Sequence, residues 1–395
     1  VTTSVLISGA SIAGPALAHC LNRFGFQTTV VERAPALRPG GQAVDVRGIG
    51  KDVLRRIGLD AEVRAACTET TGITYVTRRN RPIVTMSADM LDGDGFIAEI
   101  EILRGDMSEV FHTATKDSTE YLFGDSVSEL TQDPDGVDVR FAGGTERRFD
   151  LVIGADGLHS TMRTQLFGRD AGTSHHLGNY LAFYTVPNHL NLDQRMVAYA
   201  EPGRGAAIRS IHNNRDAMTF FGFRSAPLDY DHRDVAAQRA ILRDRITGMA
   251  WEVPRLLEHL DDAPDFYFDS CTQVVLDSWS TGRVGLLGDA AFCSSPLSGQ
   301  GTSLALVGAY VLAGELATHP GDHRTAFAEY ERRLRPFVEA NQEIGRNHAR
   351  MIHPASRLGL GLQYAMVLGL VHLPGSEFIM RRMMKGLSEI ELPDY

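Results

Sequence analysis

The chain has 395 residues, 43% of them hydrophobic and 22% charged, a profile that excludes an extended disordered protein and gives enough length for two packed domains. Lys and Arg total 39 against 49 for Asp and Glu, and the net charge of -10 argues against a general affinity for nucleic acid or anionic membranes, though not against a local basic pocket.

The first ten residues, Val1 to Ala10, pass into an apolar run with no basic segment ahead of it, so no signal peptide and a cytoplasmic location are expected. Ser4 to Ser8 (SVLIS) predicts a strand. GASIAG follows (Gly9 to Gly14), then a helical pattern from Pro15 to Phe24 closed by Gly25 and a second strand at Thr28 to Val31 that ends on Glu32. This strand, helix, strand order is the parallel-sheet kind, and GASIAG has the outline of a dinucleotide fingerprint, with Gly9 for the tight turn and Gly14 for close helix packing. Ser11 replaces the middle glycine; it is small enough to let backbone approach a pyrophosphate at the positive end of a helix. Glu32 stands where a carboxylate accepts ribose hydroxyls.

A glycine-rich loop is expected at Gly40 to Gly50 (GGQAVDVRGIG), with the charged pair Asp45 and Arg47 in it, followed by a helix through Val53, Leu54 and Ile57 that stops at Gly58. Asp106 is expected to cap a helix bearing Met107, Val110, Phe111 and Ala114, with Arg104 just ahead of it. DLVIGADGLHSTMR (Asp150 to Arg163) reads as a strand ending at Asp156 and Gly157, on the edge where open sheets bind ligands. LAFYTV, RMVAYA, AAIRSI and AMTFFGF, between residues 181 and 225, predict an antiparallel sheet; Arg209, Phe221 and Phe223 are expected on one face of it as substrate contacts. His212 carries no catalytic signal.

The parallel pattern returns at Arg283 to Asp289. There, GLLGDAAFCSSPLSGQGTSLAL (Gly285 to Leu306) joins a strand, Asp289, Pro296 and the glycines Gly299 and Gly301 to a helix from about Thr302 to Leu316, apolar on nearly every side and expected to be buried. Glycines at that helix start expose N–H groups that favour negative charge beside them. Pro336 is expected to break or kink a later helix at Arg335. Leu358 to Leu373, too interrupted by glycine to span a membrane, is expected to be a packed helix, so no stable membrane insertion is anticipated. Cys20, Cys67, Cys271 and Cys293 make no CxxC pair or His spacing of a zinc site; reduced cysteines and no metal are expected.

Together GASIAG, the DG segment at Asp156 and the GD segment at Asp289 resemble, in order and spacing, the class A flavoprotein aromatic hydroxylases, which include p-hydroxybenzoate hydroxylase and the tetracycline-inactivating monooxygenases. The resemblance implies an α/β fold with a Rossmann-like FAD-binding domain of the GR2 type (1-70, 100-180 and 271-320), an inserted, mostly antiparallel substrate domain (71-99 and 181-270) and a C-terminal helical segment (321-395). It implies that Gly9, Ser11, Gly14 and Glu32, with Arg33 alongside, hold the ADP half of FAD, that Arg104 contacts the pyrophosphate and ribityl region, that Asp156 serves FAD and NAD(P)H, that Asp289 holds the ribityl chain, and that Pro296 to Gly301 faces the ring. Asp45 and Arg47 lie where similar enzymes line the flavin and substrate region.

The implied activity is hydroxylation of an aromatic or polyketide-like small molecule with NAD(P)H and dioxygen by a monomer or homodimer. NAD(P)H would dock transiently across the domain interface, with mobility expected in the Gly40 to Gly50 loop. Two departures stand out: Phe292 replaces the His common in GDAAH, and Thr302 and Ser303 follow Gly301 where an Asn is usual. Trp251 to Pro254 (WEVP) matches part of the WxWxIP motif of flavin-dependent halogenases, although Met249 occupies the first tryptophan position; that enzyme class, and a flavin-binding protein without turnover, are the competing readings.

Overall fold

The computed structural model describes residues 2–38, 40–68, 70–88, 98–168, 173–211, 214–372 and 390–395. The first third runs β1 (Ser4–Ser8), α1 (Ala13–Arg23), β2 (Gln27–Glu32), β3 (Ala43–Val46), α2 (Ile49–Ile57), α3 (Asp60–Ala65), β4 (Gly72–Val76), β5 (Pro82–Ser87), β6 (Ile100–Leu103) and α4 (Arg104–Thr115). The middle continues through β7 (Thr119–Phe123), β8 (Val127–Gln132), β9 (Val137–Phe141), β10 (Glu146–Phe149), β11 (Leu151–Gly154), α5 (Thr161–Phe167), β12 (Thr173–Pro187), β13 (Arg195–Glu201), β14 (Arg204–Ile211) and β15 (Asp216–Arg224). Then follow α6 (Val235–Ile246), α7 (Val253–Glu258), β16 (Tyr267–Val275), β17 (Ser280–Thr281), β18 (Val284–Leu286), α8 (Asp289–Phe292), α9 (Gly301–Thr318), α10 (His323–Met351) and α11 (Arg357–His372).

The expected α/β arrangement is present. One sheet has the order β17-β18-β11-β1-β2-β7 and is parallel except for its β17 edge. From β1 the chain steps to β2 on one side, while β11 returns on the other, so the strand order reverses between β1 and β11. A crevice at the carboxyl ends of the strands opens at such a switch point. The second sheet, β16-β12-β15-β14-β13-β4-β5, is antiparallel apart from the β13–β4 pair. Its outer face is covered by α6, α7 and the turn after α7, where Leu242, Ile246, Leu256 and Leu260 pack on Tyr184, Ile208, Phe221 and Phe223.

Helix α9 is buried continuously from Thr302 to Leu316, against α1, α2 and α10. It is long and apolar enough to cross a membrane, but 83% of it is enclosed by this fold, which makes it the core helix expected from its all-round apolarity.

Four local expectations need correction. Residues 40–50 are not one loop: β3 pairs antiparallel with β6, and α2 begins at Ile49, so backbone latitude is confined to Gly40, Gly41 and Gly48, all at positive φ. Helix α4 starts at Arg104 itself; its N-cap is Leu103, and Asp106 lies inside the first turn, not at the cap. Helix α10 runs through Pro336 without a break, because buried Leu334, Phe337 and Val338 anchor both sides of it and Arg335 bonds the Leu276 and Asp277 carbonyls. Helix α11 forms but is not packed all round: Val367 is buried, whereas Leu358, Leu362, Met366 and Leu368 are exposed.

Candidate active site

The three motifs meet at the switch point. The backbone at Gly9 (φ +113) lies so close to β11 that a side chain there would strike the Ala155 carbonyl, and a Cβ on Gly14 would fall on the Gly9 carbonyl oxygen. Gly288, just before Asp289, faces the Ala13 methyl at the start of α1. Glycine is therefore demanded by close backbone approach at these corners, and the DG and GD segments lie against the GASIAG turn. No side chain caps α1, which leaves its leading N–H groups to an anion.

Glu32 ends β2 and accepts the amide N–H groups of Ala10 at 3.0 Å and Ala34 at 2.8 Å, fixing the turn while keeping lone pairs for a further donor. Arg33 is exposed beside it. Arg104 reaches across from α4 and donates from Nη1 to the Ser11 hydroxyl at 2.9 Å, with its guanidinium beside Gly41. Burial, and then Arg38, lower its pKa from the ordinary arginine value, an effect that an anion seated beside the guanidinium would relieve.

Asp156 is committed locally. Its carboxylate accepts the Ser160 hydroxyl at 2.5 Å and the amides of Thr161 and Met162 at 2.8 and 3.1 Å, so it builds the corner into α5. Arg163 then ties this corner to the GD segment by donating to the Ala290 carbonyl at 3.0 Å. Asp289 is open to the cleft yet deeply set among protein groups; burial pushes its carboxyl pKa up, with the Cys293 thiol and Arg163 opposing and Asp269 adding to the rise. Phe292, where the family often has His, points into the core against Trp279 at 4.7 Å between ring centres.

The turn before α9 is built without a regular residue geometry: Ser295 holds φ +75 and Gly299 φ +64, while Pro296 is exposed at the start of the turn. Gly299 lies beside Asp45 and Arg47, which pair at 2.8 Å. Ser303 accepts the Arg47 amide at 3.0 Å and returns its hydroxyl to the Arg47 carbonyl at 3.2 Å. The residues after Gly301 thus stitch β3 to α9, with Gly301 as the first residue of that helix.

The strand faces decide which side chains of the second sheet share one wall. In the β14–β15 register Arg209 is opposite Met218 and Ala207 opposite Phe220, whereas Phe221 is opposite Ala206. Arg209 therefore shares a face with Phe220, not with Phe221 or Phe223, which are turned into the α6/α7 core. The expected single face bearing all three is overturned by this period of two. Arg209 itself is 2% exposed, paired with Glu101 and lying 5.4 Å from the Phe220 ring centre. Burial would raise the Glu101 pKa, but Arg209 and the Thr68 and Thr70 hydroxyls, at 2.7 and 2.8 Å, outweigh it and hold the carboxyl below its usual range.

Sequence reasoning missed the aromatic wall that is present: Phe220, Phe183 on β12 and Tyr267 on β16 are directly paired across three strands, with ring centres 5.2 and 5.9 Å apart. The odd-numbered alternation Tyr267, Asp269, Cys271 was the available signal. The WEVP segment is remote: Val253 begins α7 on the outer face, and Trp251 donates to Asn80. An outward depression of about 590 Å³ between α6 and Asp261 also lies on that far face. His212 lies outside the described residues. Among the described residues no cluster of His, Cys, Asp and Glu is arranged for a metal.

Known proteins bear on this site as follows. Residues 2–343 match the family model described as "FAD binding domain". A flavin-dependent monooxygenase of Legionella longbeachae is 39% identical over 343 residues, covering 86% of this chain and 87% of that protein. An uncharacterized protein of Mycobacterium tuberculosis is 45% identical over 340 residues, 86% of this chain and 91% of its own. Among solved structures, tetracycline destructase Tet(51) superposes with a TM-score of 0.88 at 37% identity over the whole of both chains. HpxO of Klebsiella pneumoniae, complexed with FAD and uric acid, shares the fold at 22% identity and a TM-score of 0.77, over 98% of this chain and 95% of its own.

Proposed function

The chain belongs to the FAD binding domain family and is a flavin-dependent monooxygenase, and on that premise we propose that it hydroxylates a multi-ring phenolic or polyketide-like small molecule with a reduced nicotinamide and dioxygen. The observation that carries this reading is the meeting of the GASIAG, DG and GD corners at the sheet's switch point, with Tyr267 of the aromatic wall within electrostatic reach of Asp289 and Arg104.

When bound, FAD supplies the redox chemistry, passing two electrons from the nicotinamide to dioxygen so that one oxygen atom is inserted into the substrate. In this assignment the turn Gly9 to Gly14, the α1 N-terminus and Arg104 hold the pyrophosphate, and Glu32 orients the adenosine ribose, with Arg33 alongside. Asp289, protonated more readily than an ordinary aspartate, donates to or accepts from the ribityl hydroxyls. Asp156 acts through the corner it builds. Pro296, Gly299 and Gly301 offer bare backbone to the ring, and the α9 N-terminus, which carries no acidic residue in its first turn, stabilises negative charge developing beside it.

On the substrate side, the aromatic wall supplies flat apolar contact and keeps water from the reacting atoms. Arg209 works from beneath it, as the counter-ion of Glu101 and the cation under Phe220. The Asp45–Arg47 pair stands between the turn and this wall, where its charges orient a polar substituent. The 37% identity to a tetracycline destructase makes four-ring phenolic compounds the first candidates to try.

The test begins with the visible spectrum of the purified protein for bound flavin. Consumption of NADH or NADPH is then followed with phenolic and polyketide compounds, tetracycline among them, and products are weighed for the gain of one oxygen atom. A flavin-bound protein in which no compound accelerates nicotinamide consumption would favour the binding protein without turnover, and a product dependent on chloride would favour the halogenase.

A further inference from the structure

His159 follows the Asp156–Gly157 corner and is exposed, with 44% of its side chain open. Its Nε2 is 2.9 Å from Asp269 Oδ2 on β16, and its ring is stacked on that of His232, 4.3 Å between centres and 8° from parallel. The same Asp269 oxygen accepts the Tyr267 hydroxyl at 3.4 Å. Tyr267 and Asp269 share the cleft face of β16 by strand alternation. The Tyr267 ring edges the aromatic wall, and its hydroxyl lies within the electrostatic reach of both Arg104 and Asp289. A continuous line of exchangeable protons therefore leads from an exposed imidazole to the interior of the cleft.

We propose that His159, Asp269 and Tyr267 form a proton relay that carries a proton from solvent into the cleft where dioxygen is reduced. The need for it rests on the monooxygenase reading above. In that reaction the nicotinamide gives two electrons as a hydride and the substrate C–H bond gives two; dioxygen takes all four, one oxygen forming the C–OH bond and the other leaving as water. Hydrogen balances only if one proton is drawn from solution for each turnover. A site walled against water must pass that proton along side chains.

The transfer runs from His159 Nε2 to Asp269 Oδ2; once the Tyr267 hydroxyl has turned from Asp269 toward the cleft, Asp269 passes its proton to Tyr267 Oη as Tyr267 gives its own hydroxyl proton to the oxygen being reduced, and His159 regains a proton from water. Burial keeps the Tyr267 hydroxyl pKa well above the usual tyrosine range, so Tyr267 gains one proton as it loses another and does not rest as a phenolate. Imidazole is suited to the outer position because it can take a proton at one ring nitrogen and give one from the other. The stack with His232 fixes the ring plane. Ionisable groups facing this line are Arg104 from α4, Asp231, His232 and Arg233 from the segment before α6, Tyr180 from β12, Tyr230, Arg245 from α6, Cys271 on β16, and Asp289 and Cys293 from the GD segment.

A His–Asp contact could instead act as a clamp between the DG corner and β16, and the experiment separates the two. The FAD-loaded full chain is reduced with dithionite, which needs neither nicotinamide nor substrate, and mixed with oxygen between about pH 6 and 9. The relay predicts that His159→Ala, Asp269→Asn and Tyr267→Phe each slow reoxidation at least about tenfold, most at high pH, while the flavin spectrum and FAD affinity stay as in the parent. Added imidazole should restore His159→Ala; His159→Gln, which keeps an N–H toward Asp269 but passes no proton, should stay slow. In the ¹⁵N NMR spectrum of the holoenzyme, Asp269→Asn should move the His159 Nε2 resonance. Parent-like reoxidation in the three variants, or recovery of the parent rate by His159→Gln, overturns the relay. Failure of the monooxygenase reading shows separately, as a parent protein that neither NADH nor NADPH reduces, and leaves the dithionite result to judge the relay on its own.

Discussion

Arg104 and Ser11, 93 positions apart in sequence, are joined by a single 2.9 Å hydrogen bond that places a guanidinium over the first helix turn. The hydroxyl thus does what the usual middle glycine of the fingerprint cannot: it holds the cation that the proposed assignment gives to the pyrophosphate. Hydrogen bonds to charged groups contribute about 1.5–3 kcal/mol, so Arg104→Ala is expected to weaken FAD binding roughly 10- to 100-fold. Flavin fluorescence titration of the apoprotein measures this; unchanged affinity would remove Arg104 from the site. Ser11→Ala, which frees the guanidinium but leaves its charge, should lose less.

Gly14→Ala tests the tightness of the same turn. Its methyl would overlap the Gly9 carbonyl oxygen, and backbone cannot yield as a flexible side chain can. The expected result is loss of bound flavin in the purified protein, with thermal unfolding reporting whether the rest of the fold survives. A yellow, stable Gly14→Ala protein would contradict this geometry.

The Arg209–Glu101 pair is buried under the aromatic wall, so each half needs the other. Breaking it by Arg209→Met alone strands a buried carboxylate and is expected to cost about 3–5 kcal/mol. The double variant Arg209→Met with Glu101→Gln should recover much of that loss. Urea unfolding of the four proteins in the cycle decides; independent, additive losses would show that the two charges do not act as a unit.

His353 is buried, with Nδ1 3.1 Å from Asn179 Oδ1, and its ring lies against the bare backbone of Gly222 and Gly205. Burial, reinforced by Arg224, lowers its pKa to about 4 from the ordinary histidine value of about 6.5. Below the unfolded pKa the unfolded chain binds the proton and the folded one does not, so stability is lost as pH falls from about 6.5 toward 4, by up to ~3 kcal/mol. His353→Gln should flatten that part of the stability curve relative to the parent in urea unfolding at about pH 7, above the window, and about pH 4.5, within it. Parallel curves would locate the acid sensitivity elsewhere.

Glu315, inside the core helix, accepts the Tyr395 hydroxyl at 2.6 Å and pairs with Arg333 at 2.7 Å. Tyr395→Phe removes one of these bonds and leaves the other, and is expected to cost about 1–2 kcal/mol in thermal unfolding. Gly314→Ala, whose methyl would occupy the place of the Tyr395 ring, should cost more. If neither shifts the transition, the residues from Ile390 to Tyr395 do not brace the core.

The parallel sheet and the buried helix were legible because their signals are local. SVLIS, GASIAG and TTVVE announce themselves within one βαβ unit, and the apolar run of α9 leaves no polar face to expose. The substrate wall was harder to read. Alternation says which residues of one strand share a face, but neither how β14 registers against β15, which puts Arg209 with Phe220 rather than Phe221, nor which face looks at the cleft. That choice is made by α6 and α7, which take the side bearing Tyr184 and Phe221. Glu101 and Tyr267 went unnoticed since each acquires its neighbours only through strands far away in sequence. Pro336 shows the reverse case, in which a strong local breaker is overruled by packing on both sides of it.

The order of strands in the parallel sheet also governs when the protein can first hold its ligand. β18, with the aspartate that follows it, takes its place beside β11 only after the five strands β12 to β16 have been translated between them. Ribosome-bound chains shorter than that would carry a finished substrate wall facing half a nucleotide site, its apolar seat for α9 uncovered. Such a nascent chain is the form most exposed to aggregation, and a supply of free flavin could rescue it only after α9 has emerged.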